Sequence, residues 1–292
     1  MIYLRESALD SRKFALKDMS YFSQLGLIQE PFSTSPDPNF LYHSLSHETA
    51  LKRLEISIRL RRGLSIIVGD VGTGKTTLSR ALFGVFKDEP NFVFHLILDP
   101  NYKSEFQFLS ALISMFGIKP NFKSTLDYKE AIKDFLFAKG VEENKTIILL
   151  IDEGQKLTPD HLEILRILLN YETNEYKLLQ LVIMSQMELL PRLRKVKNFT
   201  DRIALKYIIN PLDETETKEM INFRLHQAGL DKSVSLFTDE AMKLIYEYTQ
   251  GYPRKITLLC HDALQLLIMK DKKLVDRGVI EEIVNREAFL NA

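Results

Sequence analysis

The sequence predicts an α/β protein in which a parallel β-sheet flanked by helices is followed by a small all-helical region. Three observations carry this prediction. Apolar runs alternate with helical patterns up to residue 209, a glycine-rich loop follows the first run, and only helical patterns come after Pro211. Strands buried on both faces give continuous apolar runs, which favours a parallel sheet covered by helices. The runs are Leu64–Val68, Phe92–Leu98, Ile147–Ile151, Leu179–Met184 and Leu205–Ile209.

The chain is predicted to divide into three segments. Residues 1–20 are expected to be a flexible extension, residues 21–210 to form the α/β core, and residues 211–292 to form a helical lid. The hinge is placed at Asn210-Pro211-Leu212-Asp213, where a proline follows the last strand-like run.

Helix start signals recur through the predicted lid. Asp213 and Glu216 have the spacing of a capping box, and the helix they open is expected to end near Gly229. Three more helix starts have a capping residue or a first-turn proline, and they lie at Thr238, Pro253 and Asp276.

The first strand-like run leads into a phosphate-binding loop of the pattern G-x-x-x-x-G-K-[ST]. The strand before it and the helix after it distinguish this loop from an ordinary glycine-rich turn. Its glycines let backbone N–H groups turn toward phosphate oxygens, and the following helix adds positive potential. Lys75 is placed to reach the β- and γ-phosphates of ATP, and Thr76 to hold Mg²⁺. The predicted nucleotide contacts are Gly69, Asp70, Val71, Gly72, Thr73, Gly74, Lys75, Thr76 and Thr77.

A pair of acidic residues follows the third apolar run. Asp152 falls at the carboxyl end of that strand, where ligands bind in open α/β sheets, and its carboxylate can hold Mg²⁺. Glu153 can polarise an attacking water. The alternative is a strand followed by two solvated acids, and the spacing from Lys75 argues against it. Together the two motifs predict ATP binding and hydrolysis.

Composition and charge exclude several other classes of protein. The 39 basic and 39 acidic residues balance, so the chain lacks the charge of a general nucleic-acid binder, although balance leaves room for a local basic face. The single Cys260 rules out an internal disulfide framework and is expected to be a buried thiol. No apolar run approaches the roughly 18–20 residues of a membrane span, and a signal-peptide pattern is absent. We expect a soluble cytoplasmic protein, and the six histidines show no metal-ligand spacing.

A phosphate-loop α/β core followed by a helical lid is the architecture of AAA+ ATPases. From about Tyr21 onward the chain resembles the ExeA/GspA family, which includes the MshM pilus-biogenesis ATPases. The wider clade includes the transposition regulators TnsC, TniB and MuB. Besides the two nucleotide motifs, the pieces that carry the resemblance are Phe22, Leu25-Gly26-Leu27, Pro31-Phe32, Pro36-Asp37-Pro38, Phe40-Leu41-Tyr42, His47-Glu48, Gly154-Gln155-Lys156-Leu157, Leu162-Glu163-Ile164-Leu165-Arg166, Leu181-Val182-Ile183-Met184-Ser185-Gln186, Arg202-Ile203 and Gly251-Tyr252-Pro253-Arg254-Lys255-Ile256.

Two positions depart from the family pattern. Gly154 replaces the alanine that is usual after the acidic pair, and Met187 stands where a proline often follows the glutamine. Neither change is expected to abolish nucleotide chemistry. Full-length ExeA proteins also carry a membrane span and a peptidoglycan-binding domain, and we expect neither in this sequence.

The resemblance implies three further residues of the ATPase site. Gln186, which follows a strand expected beside the Asp152 strand, is implied to be the sensor-one residue that orients the lytic water; the alternative is a buried amide with strand-end hydrogen bonds. Arg202 is implied to be the finger that reaches a neighbouring subunit's γ-phosphate, and the alternative is an exposed arginine in a salt bridge. Arg254 is implied to be sensor two, which contacts the γ-phosphate from the lid. A shared site requires an ATP-dependent homo-oligomer.

The aromatic segment Phe32–Tyr42 is expected to wrap over the adenine. Its aromatic side chains are candidates either for stacking on the base or for the core, and they are Phe32, Phe40 and Tyr42.

The stretch from Arg192 to Lys206 is basic within a neutral chain. This stretch could contact nucleic-acid phosphates or an acidic subunit edge, and a solvated subunit interface is the default interpretation. A smaller group at Arg59, Arg61 and Arg62 has the same ambiguity. Some residues of the stretch are alternatives to Arg202 as the finger, namely Arg192, Arg194, Lys195 and Lys197.

Two functions remain open at this point. The first is a motor or switch ATPase that acts on envelope secretion or pilus machinery, which the overall neutrality and the N-terminal motif favour. The second is a DNA-bound ATPase that recruits or activates a transposase, which the basic stretch favours. A nucleotide-gated scaffold with little turnover is a third reading, and the intact Asp152-Glu153 pair argues against it.

Overall fold

Two compact units make up the chain. The computed structural model describes residues 21–35, 37–119, 124–196 and 198–290. One unit, here called the sheet unit, comprises Leu45–Asn210. The other, called the helical unit, comprises Met1–Ser44 and Pro211–Ala292.

The sheet unit contains a five-stranded parallel sheet with the order β2-β3-β4-β1-β5. The strands are β1 Leu64–Gly69, β2 Phe92–Ile97, β3 Thr146–Ile151, β4 Leu179–Ser185 and β5 Ile203–Ile209. The five predicted strands and the predicted fold class are therefore confirmed. Because all strands run the same way, their carboxyl ends meet at one edge, where ligands bind in open α/β sheets.

Both faces of this sheet are covered, as continuous apolar runs predict. Successive side chains of β3 point to opposite faces. Ile147, Leu149 and Ile151 join one hydrophobic cluster, and Ile148 and Leu150 join another. The α-helices within the described residues are α1 Tyr21–Gln24, α2 Leu45–Arg59, α3 Lys75–Phe86, α4 Glu105–Met115, α5 Thr125–Phe137, α6 Pro159–Leu168, α7 Leu189–Leu193, α8 Glu214–Gln227, α9 Asp239–Thr249, α10 Pro253–Met269 and α11 Arg277–Leu290.

The predicted helix starts of the helical unit are confirmed. Asp213 and Glu216 form a capping box, in which each carboxylate accepts from the backbone N–H of the other residue. Thr238 caps α9 and Pro253 occupies the first turn of α10. The carboxylate of Asp276 accepts a backbone N–H of the first turn of α11. Local capping chemistry was therefore sufficient to place these helices.

The described residues of segment 21–44 lie in the helical unit, whereas the sequence assigned this segment to the α/β core. Phe32 and Phe40 are buried in the core of the helical unit. The guanidinium of Arg224, on α8, donates to the carbonyl oxygen of Ser33 at 3.1 Å. An apolar pattern indicates that a segment is buried but not which unit covers it, and this explains the wrong assignment.

Cys260 is buried in the core of the helical unit, which confirms the predicted buried thiol. Its burial raises the pKa of the thiol, so the group stays neutral. None of the helices within the described ranges is long and apolar enough to cross a bilayer.

Candidate nucleotide-binding site

The phosphate loop runs from the end of β1 to the start of α3. Gly72 and Gly74 have φ angles of 83° and 94°, in the left-handed region that favours glycine. Gly74 directly precedes α3, so the loop turns sharply into the helix N-terminus. At Gly69, a Cβ atom would lie 2.8 Å from both the carbonyl oxygen of Ile209 and the hydroxyl of Thr73. Backbone conformation and lack of space therefore both require glycine in this loop.

Lys75 is the first residue of α3, and its side chain returns to the loop. The ammonium Nζ donates to the carbonyl oxygens of Gly69 and Asp70, each at 2.8 Å. Burial lowers the pKa of Lys75, and the nearby carboxylates of Glu153 and Asp152 oppose that shift. The cation is thus held beside the two acidic residues that the sequence assigned to the same site.

Thr76 and Asp152, the two predicted magnesium ligands, are in direct contact. The Thr76 hydroxyl donates to Asp152 Oδ2 at 2.8 Å. Burial at the end of β3 raises the pKa of Asp152, while hydrogen bonds from Thr76 and from the Glu153 backbone N–H lower it. Hydroxyl and carboxylate oxygens suit Mg²⁺, which takes its other ligands from phosphates and water. The donor set fits Mg²⁺, and the described ranges contain no cluster of three or more His, Cys, Asp or Glu side chains suited to a metal.

Glu153 lies in a short turn after β3 that is linked to the end of β4. Its φ of 52° is in the left-handed region. The Gln155 amide donates through Nε2 to Glu153 Oε2 at 2.5 Å, and its Oε1 accepts from the Ser185 hydroxyl at 3.2 Å and the Gln186 backbone N–H at 3.1 Å. β4 pairs with both β1 and β3, which confirms that the strand before Gln186 lies beside the Asp152 strand.

Two residues that contact the site have no role assigned from the sequence. One is Gln155, whose only signal was an amide two positions after the acidic pair. The other is His47, on α2, whose Nε2 lies 2.8 Å from the carbonyl oxygen of Thr73. A Cβ at Gly74 would lie 2.8 Å from the same nitrogen. Both contacts join separate elements, and local sequence patterns do not report such contacts.

Arg202 lies at the amino ends of the strands, whereas the phosphate loop lies at their carboxyl ends. It directly precedes β5, whose first residue Ile203 pairs with Leu64 and whose last residue Ile209 pairs with Gly69. At about 3.3 Å per residue, this strand places Arg202 roughly 20 Å from the loop of its own subunit. The Nε atom of Arg202 is buried without a hydrogen-bond partner among the described residues.

The other described candidate cations are exposed. Arg254 is exposed on the first turn of α10, in the helical unit. The described cations of the basic stretch other than Arg202 are exposed, and they are Arg192, Arg194, Lys195 and Lys206. Lys197 lies outside the described residues.

The three aromatic candidates for adenine stacking belong to the helical unit. Phe32 and Phe40 are core residues there. Tyr42 packs against the same core, and its hydroxyl donates to the carboxylate of Glu219. A contact between any of these rings and adenine stays a prediction.

Gly154 has no room for a side chain. A Cβ there would lie 2.4 Å from Cγ2 of Ile183 and 3.2 Å from the carbonyl oxygen of Met184, both in β4. We expect Gly154→Ala to lower the free energy of unfolding by about 1–3 kcal/mol, because the buried strand must shift. Urea denaturation measures this change.

Gly84→Ala is the matched control for that substitution. Gly84 is exposed on α3, and a Cβ there would have no heavy atom within 4 Å. Alanine should raise the free energy of unfolding by about 0.5–1 kcal/mol at such a helix position. Equal stability of the two variants would contradict the close packing of Gly154 on β4.

A strand, phosphate loop and helix, with an acidic strand end alongside, define a P-loop nucleotide-binding protein. A protein-family profile described as an AAA domain matches residues 58–193. Over 247 residues the chain is 36% identical to general secretion pathway protein A of Aeromonas hydrophila. The chain is thus an ExeA/GspA-like AAA+ ATPase. The match covers 84% of this chain and 44% of that relative, so the chain spans less than half of the relative's length.

Solved structures share the fold at low sequence identity. The ORC2 protein of Aeropyrum pernix in its ADP form has a TM-score of 0.63 at 17% identity, with 87% of this chain and 71% of that chain covered. Cdc6p from Pyrobaculum aerophilum has a TM-score of 0.62 at 17% identity, with 85% and 69% covered. At these identities the similarity concerns the fold alone.

Proposed function

We propose that this chain binds ATP with Mg²⁺ and hydrolyses it to ADP and phosphate at a site shared between subunits. The observation that carries the proposal is the 2.8 Å contact between the Thr76 hydroxyl and Asp152, beside the buried cation of Lys75. A cation, a hydroxyl and a carboxylate at the N-terminus of α3 are the groups that ATP and Mg²⁺ need.

Nucleotide binding depends on Lys75 and on the loop. Two of the three ammonium donors are taken by the carbonyl oxygens of Gly69 and Asp70, which aims the charge at the loop. The third donor and the loop N–H groups would hold the β- and γ-phosphates. Thr76 and Asp152 would hold Mg²⁺, which supplies positive charge for the phosphoryl group as it transfers.

Hydrolysis depends on Glu153 and on residues at two strand ends. Glu153 would accept the proton of the attacking water. Gln186, which follows β4, would hold that water from the other side. Arg202 would stabilise the γ-phosphate of a neighbouring subunit, because roughly 20 Å of strand separates it from its own loop.

The proposed work of this ATPase is to drive the assembly or switching of a protein machine. The name of the relative in Aeromonas hydrophila supports a role in secretion. We propose further copies of this chain and envelope secretion or pilus proteins as partners. The site would work on the cytoplasmic side, where ATP is available.

The second candidate function is a DNA-bound ATPase that recruits or activates a transposase. The exposed cations of the basic stretch favour it, because phosphate contacts dominate the affinity for DNA. Electron microscopy of the protein with duplex DNA tests it. Filaments that need both ATP and DNA would favour this function, and their absence with an active ATPase would favour the secretion role.

Lys75→Ala is expected to remove most of the affinity for ATP. Among the described residues of the loop, no cation other than Lys75 contacts the loop carbonyl oxygens, so none can replace the charge that the substitution removes. A binding titration with a fluorescent ATP analogue measures the loss. Lys52→Ala is the control, since Lys52 is exposed on α2 and makes only a 3.7 Å ion pair with Glu48. Equal affinities of the two variants would mean that the loop is not the nucleotide site.

A further inference from the structure

Gln155 joins three parts of the site that are separate in sequence. Its Nε2 donates to the carboxylate of Glu153, and its Oε1 accepts from the Ser185 hydroxyl and the Gln186 backbone N–H. Its backbone carbonyl oxygen also accepts from the guanidinium of Arg192 at 2.5 Å. One side chain therefore connects the end of β3 to the end of β4.

The turn that carries Gln155 is held against β4. Glu153 has a φ of 52° and begins the 3-10 turn Gly154–Lys156. Gly154 packs so closely against β4 that a Cβ there would lie 2.4 Å from Cγ2 of Ile183. The position of the Gln155 amide is thus fixed by backbone packing as well as by its own hydrogen bonds.

Only an amide makes this set of bonds. A glutamine side chain donates with its nitrogen and accepts with its oxygen, whereas a carboxylate only accepts. Donation from Gln155 occupies Oε2 of Glu153 and leaves Oε1 to face a water. The bonds to Ser185 and Gln186 fix the other end of the same amide on β4.

We propose that Gln155 is a positioning residue for ATP hydrolysis, which orients the Glu153 carboxylate relative to the end of β4 that leads to Gln186. This rests on the proposed role of Glu153 as the group that takes the proton from water. Gln155 touches neither the phosphates nor Mg²⁺ in this scheme. Its effect is therefore expected in turnover and not in nucleotide affinity.

Two substitutions of Gln155 test the proposal by separating the contribution of the amide nitrogen from that of the amide oxygen. Gln155→Met has a side chain of similar length and loses the hydrogen bonds of both the amide nitrogen and the amide oxygen. Gln155→Glu keeps the acceptor for Ser185 and Gln186 but cannot donate to Glu153. We expect both variants to lower kcat by roughly 10- to 100-fold, as misplaced catalytic groups do. The KM for ATP and the affinity for ADP should stay near their wild-type values.

The decisive measurement repeats Gln155→Met in the Glu153→Gln background. Because Gln155 acts through Glu153, the second substitution should not reduce the residual rate further. An equal fold loss of kcat in both backgrounds would mean a general structural role and would overturn the proposal. So would an unchanged kcat in the Gln155→Glu variant, which keeps only the bonds to β4.

The same set of variants separates failure of this proposal from failure of the proposed function. If Glu153→Gln alone turns over ATP at the wild-type rate, Glu153 is not the base, and its proposed role in hydrolysis fails together with the positioning role of Gln155. If Glu153→Gln loses activity while Gln155→Met and Gln155→Glu keep theirs, the ATPase mechanism stands and only the positioning role of Gln155 is wrong.

Discussion

Mixing Arg202→Ala subunits with Glu153→Gln subunits is expected to restore ATPase activity that neither variant has alone. Arg202 precedes β5 and lies roughly 20 Å of strand away from its own phosphate loop. Its guanidinium, whose Nε is buried without a partner among the described residues, would therefore serve a neighbouring subunit. Some junctions in mixed oligomers then combine an intact Glu153 with an intact Arg202.

Arg202→Ala alone should bind ATP normally as a monomer and hydrolyse it poorly. An arginine finger contributes roughly 10³–10⁵-fold in rate in well-studied phosphoryl transfer. Arg194→Ala is the comparison, because Arg194 is an exposed arginine of the same basic stretch and an alternative for the finger. Its turnover should stay near the wild-type rate if Arg202 is the finger. A steady-state phosphate-release assay measures turnover, and native mass spectrometry confirms that mixed oligomers form. No recovery in oligomers that contain both variants would count against a shared site.

Glu153→Gln is expected to keep ATP binding and to lower turnover by roughly 10²–10⁴-fold, the usual contribution of a positioned acid or base. The amide retains the size of the carboxylate but cannot take a proton from water. ATP should therefore persist in the site, and the ATP-bound assembly should accumulate. Single-turnover hydrolysis and size-exclusion chromatography with ATP measure the two effects.

A carboxylate close to the same site provides the control for Glu153. Glu188 precedes α7, is exposed, and its charge also acts on Lys75. Glu188→Gln should change turnover little, because removing this exposed carboxylate leaves the attacking water and its proposed acceptor Glu153 in place. If both variants hydrolyse ATP at the wild-type rate, Glu153 has no catalytic role.

The sequence by itself was sufficient to predict those elements that depend on a local pattern of residues. Continuous apolar runs predicted the five strands, because a strand covered on both faces has no polar side. The spacing of Asp213 and Glu216 predicted a capping box, and the structure confirms it. The glycine pattern before Lys75 predicted the phosphate loop, because only glycine takes the φ angles of Gly72 and Gly74 without strain.

The tertiary structure decided which distant parts meet. The described residues of segment 21–44 pack in the helical unit because their apolar side chains, such as Phe32, are buried in its core. Gln155 reaches β4 only because parallel pairing sets β4 beside β3 and Gly154 allows close approach. Side-chain chemistry and spacing are local properties of a sequence, whereas the pairing of strands depends on contacts between residues far apart in the chain, and local periodicity does not encode these contacts.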